Sequence, residues 1–192
     1  MKLKKIGNIF IKKGVNRMFI IKTINNYRIR RWKKNGMVIG KNFSMQKGVD
    51  IDSAFPWLVF IGNGVTLAPH SMILSHDGST KNAIGYTKIG KVKIEDNVFI
   101  GAKSIVLPNT IIGKNSIIGA NSVVSGIIPE NSVVCGSPAK VVCSVEEFIN
   151  KHKNNMKKAM IYDKTYTRKG KITKDKKEQM ISDLNDDIGY IL

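Results

Sequence analysis

Residues 94–124 read IEDNVF IGAKSI VLPNTI IGKNSI IGANSV V, and how that stretch is cut decides the fold. An aliphatic residue leads every group of six: Ile94, Ile100, Val106, Ile112, Ile118 and Val124. Five successive spacings of six match neither the period of an α-helix nor the two-residue alternation of a single strand. Glycine follows the leading residue at 101, 113 and 119. Four places after each leading residue stand Val98, Ser104, Thr110, Ser116 and Ser122, all small or β-branched. Upstream the same register appears at Ile39, Met45 and Ile51, then at Ile61, Leu67 and Ile73.

A period of six describes a coil with flat sides. Each hexad supplies a short strand and a corner, and three hexads close a triangular turn of 18 residues. The leading aliphatic points inward, so that Ile94 stacks on Ile112 and Ile100 on Ile118. Rungs stacked at about 4.8 Å satisfy one another's amides. Tight corners call for glycine and for Asn63, Asn97, Asn115 and Asn121. A β-sandwich of short strands would not require strict sixes. The expectation is a mainly β chain: a parallel β-helix over 37–143, about five coils wound as a triangular prism. A basic amphipathic extension precedes it over 1–36, and a C-terminal helix with a charged tail follows over 144–192.

Charge divides the chain in the same places. Of the net +18, residues 1–36 contribute twelve Lys/Arg and no acid. Ile6, Ile9, Phe10, Val15, Met18 and Phe19 interleave with those charges as in an amphipathic helix. Two readings of this arm stay open, a helix capping the core and a peripheral contact with an anionic membrane. No module that binds nucleic acid is recognisable. The apolar run MFII at 18–21 is too short to span a bilayer. Cys135 and Cys143 make no disulfide framework and no signal peptide is visible, which points to a reducing cytoplasm.

Residues 61–142, closing on GSPAK at 136–140, resemble the hexapeptide-repeat acyltransferases, in particular the maltose, galactoside and xenobiotic acetyltransferase branch. The resemblance implies a left-handed coil, a homotrimer with active sites between subunits, acetyl-CoA as cosubstrate and a histidine as general base. It implies His76 as that base, in ILSHDGS at 73–79, where the coil yields to a loop over about 78–91. Such a loop lines the acceptor site in the family. Asp77 reads either as an acceptor ligand or as a turn residue, since DGS is good turn chemistry. His70 lies within an intact hexad and reads as a corner or interface residue. His152 lies in SVEEFINKHKNNMKKAM, where Ser144 and Glu147 form a capping-box pattern. Phe148, Ile149, His152, Met156 and Met160 share one stripe there, which predicts a packing role against the β-helix.

For the donor, the resemblance implies Ala102, Ala120 and Ser125 along the pantetheine arm and Lys140 at the nucleotide phosphates. Cys143 replaces a second basic residue common in the family. DSAFPWLVF at 52–60 replaces the stretch holding the family's acceptor asparagine, which argues against a simple galactoside and puts Trp57 forward as an acceptor contact. A metalloenzyme on this prism would need three zinc histidines, whereas His70 and His76 fall on different sides of the coil and His152 outside it, so no metal is expected. The function expected is acetyl-CoA-dependent O-acetylation of a sugar or surface-polysaccharide precursor. N-acetylation of an amino sugar, acetylation of serine or a drug, and a non-enzymatic scaffold stay open as alternatives.

Overall fold

The computed structural model describes residues 17–185 and 187–192. Two compact units divide the chain, Met1–Val145 and Glu146–Leu192.

The first unit is the expected prism. Its first face stacks Val38–Ile39, Val59–Ile61, Val92–Ile94, Thr110–Ile112 and Ile127–Ile128. The second stacks Ser44–Met45, Thr66–Leu67, Phe99–Ile100, Ile117–Ile118 and Ser132–Gly136, and the third Asp50–Ile51, Met72–Ile73, Ile105–Val106 and Val123–Val124. All of these ladders are parallel, with Ile94 opposite Ile112, Ile100 opposite Ile118 and Val106 opposite Val124. Every leading aliphatic named from the sequence is buried, Met45 being the most exposed at 8%. Ile112 is wholly buried between Ile94 and Ile128. Ile112→Ala is therefore expected to cost about 2–5 kcal/mol, since a stacked column cannot collapse into the hole. Urea unfolding at constant m-value measures that loss; a change under 1 kcal/mol would contradict the packing.

The small residues four places on close the corners from inside. Ser104, Thr110, Ser116 and Ser122 are fully buried, and their hydroxyls donate to the carbonyls of Gly119, Leu107, Pro129 and Gly119 at 2.6–2.9 Å. A buried hydroxyl needs such a partner, which is why a polar residue is tolerated at these positions. Asn97, Asn115, Asn121 and Asn131 take left-handed φ of 57–60° at the corners. The Asn97 amide donates to Asn115 and that of Asn115 to Asn131, at 3.1 and 2.9 Å. At the corner of Asn63, the left-handed residue is its neighbour Gly64. His70 and Lys103 hold the same conformation, with φ of 61° and 59°.

Helix α1 (Arg17–Lys34) closes the lower end of the prism. Asn25 Nδ2 donates to the Met45 carbonyl and Arg28 Nη1 to that of Val49, at 3.0 and 2.8 Å. Trp32 lies in the core at 5% exposure, under the Arg28 guanidinium at 4.7 Å. The apolar positions Ile6, Ile9, Phe10 and Val15 lie outside the described residues. At the upper end, Ala139–Ser144 turns back antiparallel along Ser132–Gly136, with a register shift at Val133/Val134. Among the described residues, no helix is long and apolar enough to cross a membrane.

In the second unit, helix α3 (Val145–Met156, following the short α2 at Lys81–Ile84) begins beside the unit boundary and ends before Met160. His152 Nδ1 lies 2.9 Å from the Tyr190 hydroxyl and its ring 4.5 Å from that of Phe148. The contacts that fix His152 are thus within the C-terminal unit. The charged tail is ordered there: Ile161–Tyr162 pairs with Tyr190–Ile191 around helix α4 (Lys174–Asp183).

Candidate active site

Both interruptions of the repeat leave the prism at one edge. Ile51 and Ile73 are partners on the third face, and the chain departs after each, over 52–58 and 74–91, before rejoining the first face. The first loop turns Asp52 inward, leaving its side chain 2% exposed. Its Oδ1 accepts from the Ala54 N–H at 2.9 Å, and its Oδ2 from the Ser75 N–H and hydroxyl at 3.0 and 2.6 Å. His76 Nδ1, from the second loop, lies 2.5 Å from the same Oδ2. Burial alone would raise the Asp52 carboxyl; hydrogen bonds from Ser75, His76 and Ala54 outweigh it and hold the group below the usual carboxylate range.

An ionised carboxylate only accepts, so Nδ1 of His76 carries a proton, and in the neutral form of such a ring the lone pair is on Nε2. With its side chain 39% exposed, the imidazole has one nitrogen anchored and the other available to a substrate. Chemically this is an oriented base.

One aromatic side chain of the first loop packs against it, and a second packs on the first. The Phe55 ring lies 5.5 Å from that of His76 and 5.8 Å from that of Trp57. Trp57, in the single-turn helix Pro56–Leu58, is 54% exposed. Asp77 is engaged elsewhere: its carboxylate pairs with Lys88 Nζ at 2.9 Å and accepts from the Ser79 N–H at 2.9 Å. Lys88 first, and then Ser79, pull its pKa far below the ordinary range. The Lys88 pair spans the short antiparallel ladder of His76–Asp77 with Lys88–Ile89, closing the neck of the projecting loop.

The residues named for the donor fall into two groups. Gly101–Ala102 and Gly119–Ala120 stack at the edge between the second and third faces, where the Asn121 N–H donates to the Ala102 carbonyl. Cys135 continues that column, its Sγ lying over Gly119, and Lys140 pairs opposite Cys135 with its side chain exposed. Ala102, Ala120 and Lys140 therefore mark one edge. Small side chains leave the main chain open along it, and a cation closes its end, a combination that fits an extended arm ending in phosphates. Ser125, following Val124, lies instead on the edge that carries His76, as does Leu107 below it. His70 occupies the donor edge, where the Lys103 N–H donates to the Pro69 carbonyl. The third face separates the two edges by roughly 15 Å, at about 3.3 Å per residue.

Sequence reasoning missed Asp52 and Phe55. The available signal was positional: both gaps open after residues of the same inward column, so side chains at their starts had to be neighbours.

Residues 91–126 match the family model for the bacterial transferase hexapeptide (six repeats). These residues are bacterial-transferase hexapeptide repeats. Protein CapG of Staphylococcus aureus is 40% identical over 100 residues, covering 50% of this chain and 58% of that protein. The galactoside O-acetyltransferase of Lactococcus lactis is 41% identical over 120 residues, or 60% and 52% of the two chains. A maltose O-acetyltransferase structure from Clostridium difficile 630 superposes with TM-score 0.51 at 26% identity, covering 74% of this chain and 84% of that one. The chain spans roughly half to three fifths of the length of the curated relatives it matches. The first unit has the fold of that structure, a left-handed parallel β-helix.

Proposed function

We propose that the protein transfers an acetyl group from acetyl-CoA to a hydroxyl of a sugar or surface-polysaccharide precursor. The observation that carries this reading is the imidazole of His76, anchored on a buried carboxylate at the root of two loops, with Nε2 free. His76 takes the proton of the acceptor hydroxyl as that oxygen attacks the thioester carbon. The imidazolium so formed faces the negative Asp52, which stabilises it. It then returns the proton to sulfur as the C–S bond breaks, releasing CoA thiol and the acetyl ester. Similarity to a galactoside O-acetyltransferase supports a carbohydrate acceptor, and Phe55 and Trp57 supply an apolar wall for a pyranose beside the base.

Along the other edge, Ala102 and Ala120 bind the pantetheine arm and Lys140 the phosphates. Because that edge and His76 lie on opposite sides of one face, a single prism does not bring the thioester to its own base. Two copies packed edge to edge would, which supports a homotrimer with its sites between subunits. Ser125, on the edge of His76, then meets the acetyl end of the arm.

Release of CoA thiol from acetyl-CoA over a panel of neutral and charged sugars tests the reading. Acceptor-dependent release is expected. Failure of the protein to bind acetyl-CoA or to release thiol with any member would overturn it.

A further inference from the structure

Beside the dyad, a cleft of about 150 Å³ opens between the last turns of α1 and the first coil, lined among others by Tyr27, Arg28, Arg31, Asp50 and Ser53. Two guanidinium groups face one carboxylate there, and their situations differ. Arg28 is committed to the fold: it donates to the Val49 carbonyl, pairs with Asp50 at 3.3 Å and stacks on Trp32. Arg31 is exposed and makes no ion pair among the described residues. No acid precedes it in the chain, and Arg30, Lys33 and Lys34 surround it with exposed positive charge. The Ser53 hydroxyl has no hydrogen bond among the described residues. An uncompensated guanidinium beside a free hydroxyl in a concave site recognises an oxyanion.

Position links this cleft to the chemistry. Ser53 is the next residue after Asp52, whose carboxylate holds His76. One loop, 52–58, thus offers Ser53 to the cleft, Asp52 to the base, and Phe55, with Trp57 packed on it, to the ring of the base. Adjacent Cα atoms are about 3.8 Å apart, so the cleft and the carboxylate that holds the base lie within the span of a substituted hexose.

From this juxtaposition we infer that the cleft is the anion subsite of the acceptor: Arg31 and Ser53 hold a phosphate or carboxylate on the sugar while its reacting hydroxyl lies at His76. The inference rests on the acyl-transfer reading of the dyad. It narrows the acceptor from any sugar to a charged one, which the overall +18 would also attract.

Calorimetric binding and initial rates with a hexose 1-phosphate, a hexuronic acid and the neutral hexose test it. Wild type should bind at least one charged sugar about 10–100-fold more tightly than the neutral one, and which of the two identifies the anion. Arg31→Gln should abolish that preference through KM while leaving kcat and the acetyl-CoA KM alone. Arg31→Lys should recover part of it, and Arg30→Gln, outside the cleft, should change nothing. Equal affinity of wild type for charged and neutral sugars would overturn the inference. So would equal losses in the Arg30 and Arg31 variants, or an Arg31 effect confined to binding of phosphatidylglycerol vesicles. Charge-selective binding that depends on Arg31 without acetyl transfer would sink the acyl-transfer reading and leave the subsite standing. Acetyl transfer indifferent to Arg31 would do the reverse.

Discussion

His76→Ala is expected to lower acetyl transfer by about 10²–10⁴-fold with acetyl-CoA binding retained, because a positioned general base, the role proposed for this imidazole, contributes that much and the proposed donor edge lies elsewhere. The substitution is structurally mild: the side chain is 39% exposed at a loop root, outside the stacked column. A loss in kcat with binding retained therefore reports on proton transfer. Rates equal to wild type would remove His76 from the mechanism and turn attention to His70. His70→Asn is the matching control, since asparagine tolerates the left-handed φ of 61° that this corner demands; it should leave the rate unchanged.

Asp52→Asn gives the second large effect, and the hydrogen-bond pattern says why an isosteric change is not conservative here. Ala54 donates to one oxygen of Asp52; Ser75, twice, and His76 donate to the other. An amide has one accepting end. With its oxygen toward Ala54, its NH₂ meets the Ser75 N–H and forces the proton of His76 onto Nε2, the nitrogen that must be bare. With its oxygen toward His76, its NH₂ meets the Ala54 N–H. In the first orientation the buried Ser75 N–H is orphaned, which costs about 1–3 kcal/mol of stability; in the second the part-buried Ala54 N–H loses its acceptor at a smaller cost. Where the amide imposes the wrong tautomer, the rate falls by up to ~10⁴. Thermal unfolding alongside kcat separates the two consequences; an active, fully stable Asn variant would show that Asp52 does not orient the base.

The same carboxylate gives wild type a pH signature. Its folded-state pKa lies below the unfolded value near ~3.9, so its contribution to stability is present above that value. It is lost as pH falls through the folded pKa. Denaturation midpoints followed downward from pH 5 should lose less in Asp52→Asn than in wild type over that window.

The sequence discloses the two parts of this protein unequally. Inward columns were legible because a six-residue period leaves one residue per side facing the axis, and Ile94, Ile100 and Ile112 obey it without outside help. Even the buried serines followed, since only a small side chain fits inside a corner. The hand was not legible from the repeat, because stacking satisfies the same amides in either sense, and it came from resemblance. Asp52 was illegible for a different reason. It lies 24 residues from His76 across two interruptions whose lengths conceal the register, and Asp77, adjacent in sequence, drew attention to itself. Neighbours along an extended strand point apart, so the near carboxylate went to Lys88 and the far one to the imidazole. Arg31 was hidden within a charge count; only the helix docking on the first coil distinguishes it from Arg28.

The two ends of the prism have a consequence beyond catalysis. A ladder of identical parallel rungs is also a template on which another chain's strand can be laid, which is how fibrils seed and elongate. Here part of each end rung is covered. Below, Asn25 and Arg28 occupy the carbonyls of Met45 and Val49 that a further strand would seek. Above, the chain reverses, shifts register at Val133/Val134 and presents the exposed Lys140 along the outermost strand. A molecule whose interior is a stack thus hinders its own polymerisation at both poles, with helix at one and a mismatched, charged edge at the other.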